Sequence, residues 1–297
     1  MLTAVTAVAA VAAVAAVAAV VGGCAALVPM SDGTSVSWGR VNAGVLVGAV
    51  ALPTRGDGYR VPPEWAVRQS AWGTEELVGL IVRAARRVDR EAPGGLLEVG
   101  DLSSRRGGAS QRHRSHQTGR DADLFLYVLD EADRPLSASA MHRFGDDGWT
   151  RREDERGRKL AQPRLRVDLA RTWLLVRALL EDPAVDVQFL FLSAGLERVL
   201  LGHAATVGAP ADLLARAAAV VHQPGGAALP HDDHLHLRVF CAAGDRAMGC
   251  EDIGPLRWLK KRFKYFRSLT TALVVAIGAG TPRPFCRVLL TGALAPR

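Results

Sequence analysis

The chain has no CxxC pair among its four cysteines, no GxGxxG or GK[ST] loop, and no HExxH motif. These absences exclude a zinc site built from cysteines, the usual phosphate cradles, and a thermolysin-type glutamate base, respectively. Charge is missing from the first 24 residues, MLTAVTAVAAVAAVAAVAAVVGGC. That stretch is low in complexity and long enough for a signal-peptide core or a membrane helix, although a basic n-region is lacking. Its end, VGGC at Cys24, resembles a lipoprotein signal-peptidase site, so export to the periplasm or cell envelope is expected, with lipid at Cys24 as one form of attachment.

What is present bounds the rest. At 297 residues and 49% apolar content the chain buries a sizeable core, which excludes general disorder. The net charge of +7 comes mainly from arginine and is concentrated locally, in Arg151, Arg152, Arg156, Arg158 and Lys159 and in the run from Arg257 to Arg267. Such charge suits anionic polymers, cell-wall glycopeptide among them, or anionic lipid. Export sets nucleic acid aside as a partner. Cys241 and Cys250, within CAAGDRAMGC, can close a short disulfide loop in an oxidising compartment; Cys286 has no evident partner.

Along the chain we expect a targeting segment at 1–24, a lead-in linker at 25–58, a catalytic-type domain at 59–254, and a basic and apolar tail at 255–297. Thr74 to Val88 reads as a helix, with Thr74 as cap and two glutamates in the first turn. LRVDLARTWLLVRALLED is the strongest amphipathic helix, and ADLLARAAAVVHQ is another. DADLFLYVL, VDVQFLFLS and HLHLRVF read as strands, while Glu131 to Arg164 reads as a long polar surface excursion. The fold class is therefore α+β: a single domain with a central, mainly antiparallel sheet flanked by helices.

Five of the eight histidines fall in two windows, His113 and His116 in the first, His231, His234 and His236 in the second. In a strand HLHLRV, His234 and His236 share one face while Leu235, Leu237 and Val239 point into the core. Asp123 opens another strand, and if the two are neighbours the three side chains converge; His116 folds back toward Asp123 after a turn at Gly119. Two imidazoles and a carboxylate with a position left for water is the usual set for catalytic zinc, whose chemistry is amide or ester hydrolysis. Asp232 and Asp233 are candidates to orient imidazoles. Arginines of the His loop are candidates to hold substrate carboxylates. His142, His203 and His222 stand alone and suit surface or structural roles.

Together, SHQTGRDAD, HDDHLHLR, VGDLS, RTWLLVRALLEDPAVDVQFLFLS and HQPGGAALPHDDHLHLRVFC resemble the penicillin-insensitive murein endopeptidase family. That family sits among the zinc peptidases that include lysostaphin, D-Ala-D-Ala peptidases and the hedgehog signalling domain. The resemblance runs from about Tyr59 to Gly254. It implies Zn²⁺ held by His116, Asp123 and His236, with His234, His231 and His113 as catalytic or site-lining histidines. It also selects Asp123 over Asp121 as the ligand. The implied activity is hydrolysis of peptidoglycan cross-links, D-alanyl to meso-diaminopimelyl in type. Alternatives are a D-Ala-D-Ala-type carboxypeptidase of the same zinc class, or a non-catalytic wall-binding protein. Arg112 stands where the family tends to have glycine, and the tail has no family counterpart.

Overall fold

The computed structural model describes residues 35–254 apart from 155 and 227, so the targeting segment, Cys24, Cys286 and the tail lie outside the described residues. The described residues up to Ile253 form one compact α+β unit. Among them, no helix is long and apolar enough to cross a membrane.

The helix Glu75–Glu91 begins at Thr74, whose Oγ1 accepts the Leu77 N–H at 3.3 Å. Glu75 and Glu76 occupy its first turn, where the helix dipole favours negative charge. Leu77, Leu80, Ile81, Ala84 and Val88 recur at helical spacing and are buried. This face packs against the helix Leu169–Leu180, capped by Asp168, which accepts the Arg171 N–H at 3.0 Å.

A four-stranded sheet carries the histidines. Its order is Val221–His222, Val187–Phe191, His234–Val239, Asp121–Phe125; the first pairing is parallel and the other two antiparallel. One face sends Leu190, Leu235, Leu237, Ala122 and Leu124 into the apolar core shared with four helices, 75–91, 169–180, 194–206 and 211–220. Burying each such leucine contributes about 1.5–3 kcal/mol. Strict alternation then leaves Phe191, His234, His236, Arg238, Asp121 and Asp123 on the opposite face. Register fixes the chemistry: His236 stands directly opposite Asp123, and Arg238 opposite Asp121.

Several features differ from the sequence expectation. The remaining strands of the described residues do not join this sheet but form small separate ones. DADLFLYVL is not one strand: it ends at Phe125, and Val128–Leu129 pairs elsewhere, with Pro135–Leu136 and Arg166–Val167. The segment read as a lead-in carries a hairpin, Val36–Arg40 with Ala43–Val47. The helices Pro63–Ala66, Ala194–Thr206 and Ala243–Met248 were not anticipated, the second because only Gly195, Leu196, Leu200 and Ala204 on it are buried.

The Cys241–Cys250 disulfide is present, with Cα atoms 6.0 Å apart. Beside it the buried Arg120 guanidinium ties three segments together. It donates to Ser37 Oγ at 3.1 Å, to the Val239 carbonyl at 3.1 Å and to Asp252 Oδ1 at 2.9 Å.

Candidate metal centre

Asp123 is the hub. Its Oδ1 lies 3.3 Å from His116 Nε2, 3.3 Å from His234 Nε2 and 3.0 Å from His236 Nδ1. His113 stands farther out, Nδ1 at 3.8 Å from Asp123 Oδ2, with its ring 4.4 Å from that of His116. The rings of His231 and His236 are 5.6 Å apart, and those of His231 and His234 5.2 Å. All six side chains named from the sequence thus meet at one place. They line a cleft of about 1290 Å³ together with Arg112, Arg114, Phe191 and Arg238.

Each inner imidazole is aimed by a partner on its far side. His116 Nδ1 lies 2.7 Å from the Leu102 carbonyl, so it carries the proton and leaves Nε2 as a lone pair toward Asp123. His116 also adopts φ +66°, a left-handed conformation costly for a residue with a Cβ. Asp121 Oδ2 accepts the His116 backbone N–H at 3.1 Å, and the His116 carbonyl accepts from Ser103 Oγ at 2.5 Å, which holds that backbone in place. Gly119, at φ +73°, makes the turn behind it; an added Cβ would come within 2.7 Å of Leu46.

His236 Nε2 is 3.0 Å from Asp121 Oδ1, which also accepts from Arg238 Nε at 2.6 Å. Asp121 therefore fixes the tautomer that frees His236 Nδ1. His234 Nδ1 is 2.5 Å from Asp233 Oδ1. Asp232, in contrast, pairs with Arg143 and Arg151 rather than with an imidazole. His113 Nε2 is 2.9 Å from Asp101 Oδ2, itself held by Arg68 and Ser70. His231 donates its backbone N–H to Gln223 Oε1 at 3.0 Å.

Electrostatics follow from this packing. Burial alone would raise Asp123, but His116 and His234 hold it well below the ordinary carboxylate range. Asp121 is likewise lowered, as Arg238 and His236 outweigh burial. Burial pulls His234 down, yet the negative charge of Asp123, with Asp233, holds it at about 10. His116 is raised in the same way, Asp123 outweighing burial. His231 is pushed down to about 3 by burial and by its neighbours His236 and His234.

The arrangement fits a divalent cation. His116 Nε2 and Asp123 Oδ1 are buried and have no hydrogen-bond partner, an expensive state unless something else engages them. Their group with His113, and the group His231, His234 and His236, each keep ligand atoms within 4.8 Å of one another. Nitrogen donors with a single carboxylate oxygen suit a borderline cation.

Sequence reasoning missed Asp101, Gln223 and Phe191, and set Asp121 aside as a ligand without giving it another task. Asp101 lies in the quoted VGDLS and was within reach. Arg238 was legible from alternation, two residues beyond His236. No local signal marks Gln223.

A model of the family described as penicillin-insensitive murein endopeptidase matches residues 37–200. The chain belongs to that family. The match takes in His113, His116 and Asp123 and ends before the His231–His236 window. Proteins of the same name are similar over longer stretches. One from Klebsiella pneumoniae subsp. pneumoniae is 28% identical over 227 residues, covering 75% of this chain and 72% of its own. Another, from Haemophilus influenzae, is 28% identical over 231 residues, covering 77% and 71%. One from Escherichia coli O1:K1 / APEC is 35% identical over 97 residues, 32% of this chain and 34% of its own.

Proposed function

We propose that the protein is a zinc-dependent murein endopeptidase of the cell envelope, hydrolysing the D-alanyl to meso-diaminopimelyl cross-links of peptidoglycan. His116, Asp123 and His236 would hold the metal, and His234, His231 and His113 would serve the reaction. The observation that carries this reading is the convergence of His116 Nε2, His236 Nδ1 and Asp123 Oδ1 at one point, each imidazole fixed from behind. Zn²⁺ in such a set supplies Lewis acidity, acidifying water and polarising a carbonyl.

The chain's own groups supply the rest. Asp121 and the Leu102 carbonyl keep His236 and His116 in the tautomers that present Nδ1 and Nε2. His234 owes its high pKa to Asp123; a cation drawing on that carboxylate would lower it toward the range in which imidazoles exchange protons. Held by Asp233, it takes a proton from water at Nε2 and passes it to the departing amine. His231, neutral throughout the physiological range, can hydrogen-bond a carbonyl without introducing charge beside the site. Arg112 and Arg114, on the cleft wall, would pair with stem-peptide carboxylates.

Digestion of purified sacculi, followed by mass analysis of the muropeptides, tests this. Loss of cross-linked dimers with gain of uncross-linked monomers is expected. Release of terminal D-alanine with intact cross-links would mark a carboxypeptidase instead, and unaltered sacculi a binding protein.

A further inference from the structure

The stretch between Glu131 and Arg164 reads as a long polar surface excursion, yet its Arg143–Arg151 part is fastened to the turn that bears His231 and His234. The Phe144 N–H donates to the Asp232 carbonyl at 2.8 Å. Asp232 is 1% exposed, and Arg143 grips it with both prongs: Nε to Oδ1 at 3.2 Å and Nη2 to Oδ2 at 3.2 Å. Arg151 Nη2 lies 3.4 Å from the same Oδ2.

Within the excursion, Gln162 ties the Arg143 and Arg151 segments together. Gln162 Nε2 donates to the carbonyls of Arg143 at 2.9 Å and Arg151 at 2.5 Å, and its Oε1 accepts the Arg143 N–H at 3.2 Å. The excursion also seats closely on the N-terminus of the helix Ala194–Thr206, where a Cβ on Gly195 would fall 2.7 Å from Asp146 Cα. Two residues before Gly195, the Ser193 N–H donates to the His231 carbonyl at 2.7 Å. The His turn is thus held from two sides, by Ser193 at His231 and by the excursion at Asp232.

We propose that Arg143, acting through Asp232, is a positioning residue that sets where His234 stands relative to Asp123. Asp232 is two residues from His234, at the foot of the strand. A two-pronged guanidinium grip fixes both the height and the rotation of the turn, which a single contact cannot. Arg143 is itself partly exposed, its side chain at 29%, so its contribution lies in geometry more than in core packing. This inference rests on the reading of His234 as a proton-transfer group.

The experiment compares the wild type with Arg143→Ala, Arg143→Lys, His234→Ala and the double variant Arg143→Ala/His234→Ala. It measures kcat and KM on cross-linked muropeptide, zinc content, and the side-chain ¹H–¹⁵N resonances of His234 and His203. In Arg143→Ala, kcat falls by roughly 10- to 100-fold with KM and zinc content kept. Arg143→Lys recovers part of that loss. The double variant is no slower than His234→Ala, because the brace has nothing left to place. An unchanged kcat in Arg143→Ala, or the same fold-loss on both backgrounds, overturns the proposal while leaving an active wild type and the functional reading intact. Should the wild type cleave no muropeptide, that reading fails separately, and the resonances still decide the brace. A His234 shift in Arg143→Ala with His203 unmoved supports it, and an unmoved His234 overturns it.

Discussion

Asp121→Asn is the perturbation that separates orienting a ligand from being one. Asp121 is fully buried and serves three donors with two oxygens: Oδ1 takes Arg238 Nε and His236 Nε2, and Oδ2 takes the His116 N–H. An amide keeps one oxygen. If that oxygen faces Arg238 and His236, its NH₂ group confronts the His116 N–H and unseats the left-handed backbone there. If it faces His116, the other two donors meet an NH₂. Either way at least one buried donor loses its acceptor, at a cost of about 1–3 kcal/mol. Loss of an orienting carboxylate typically lowers metal affinity by about 10- to 100-fold, which is about 1.4–2.7 kcal/mol. Competition against a chelator of known zinc affinity measures the loss of metal affinity, and the melting temperature of metal-free protein measures the cost of the unpaired donor. Wild-type affinity together with a wild-type melting temperature in Asp121→Asn would refute the reasoning.

Other outcomes follow from the same geometry. His116→Ala, Asp123→Ala and His236→Ala each lose zinc and muropeptide cleavage together, whereas His234→Ala keeps its metal and loses most turnover; metal content measured beside activity separates the two classes. In the metal-free chain Asp123 raises the His116 pKa above its ordinary value against the pull of burial, so zinc competes with a proton for that imidazole. Affinity therefore rises with pH and uptake releases protons, as calorimetry in buffers of different ionisation enthalpy would register; equal heats in all buffers would contradict it. Stability of the metal-free chain has an acid limit as well. Asp121 and Asp123 are both lowered, so their contribution is present above the unfolded carboxylate pKa of about 3.9 and is lost as pH falls toward their folded values. Reducing Cys241–Cys250, a loop spanning 9 residues, removes about 2–3 kcal/mol, seen as a lower melting temperature under reductant.

The site was more legible in the sequence than the fold around it. His234 and His236 share a face because strand residues alternate, and Leu235 and Leu237 mark which face is core, so HLHLRV announces its own geometry. Asp121 and Asp123 share parity, and local pattern cannot rank them. The family resemblance ranks them, and the register sets Asp123 opposite His236 and Asp121 opposite Arg238. The helix from Thr74 was readable from its cap and its apolar spacing. The excursion was not, because it is ordered by Gln162 and by arginine grips on Asp232 rather than by an apolar repeat. Nor was the Val36–Val47 hairpin, where glycine-rich strands give weak alternation and long-range hydrogen bonds, such as Leu46 N–H to the Arg106 carbonyl at 3.0 Å, fix the register.

The most direct test of a zinc-dependent endopeptidase is a titration. Protein stripped of metal receives zinc in graded amounts, and cleavage of a D-alanyl to meso-diaminopimelyl cross-linked muropeptide dimer is followed by mass. We expect no cleavage without metal, a rate that rises in proportion to bound zinc and levels off once His116, Asp123 and His236 are filled, and no recovery in His236→Ala. Cleavage at full rate by the stripped protein, or by His236→Ala, would contradict the account.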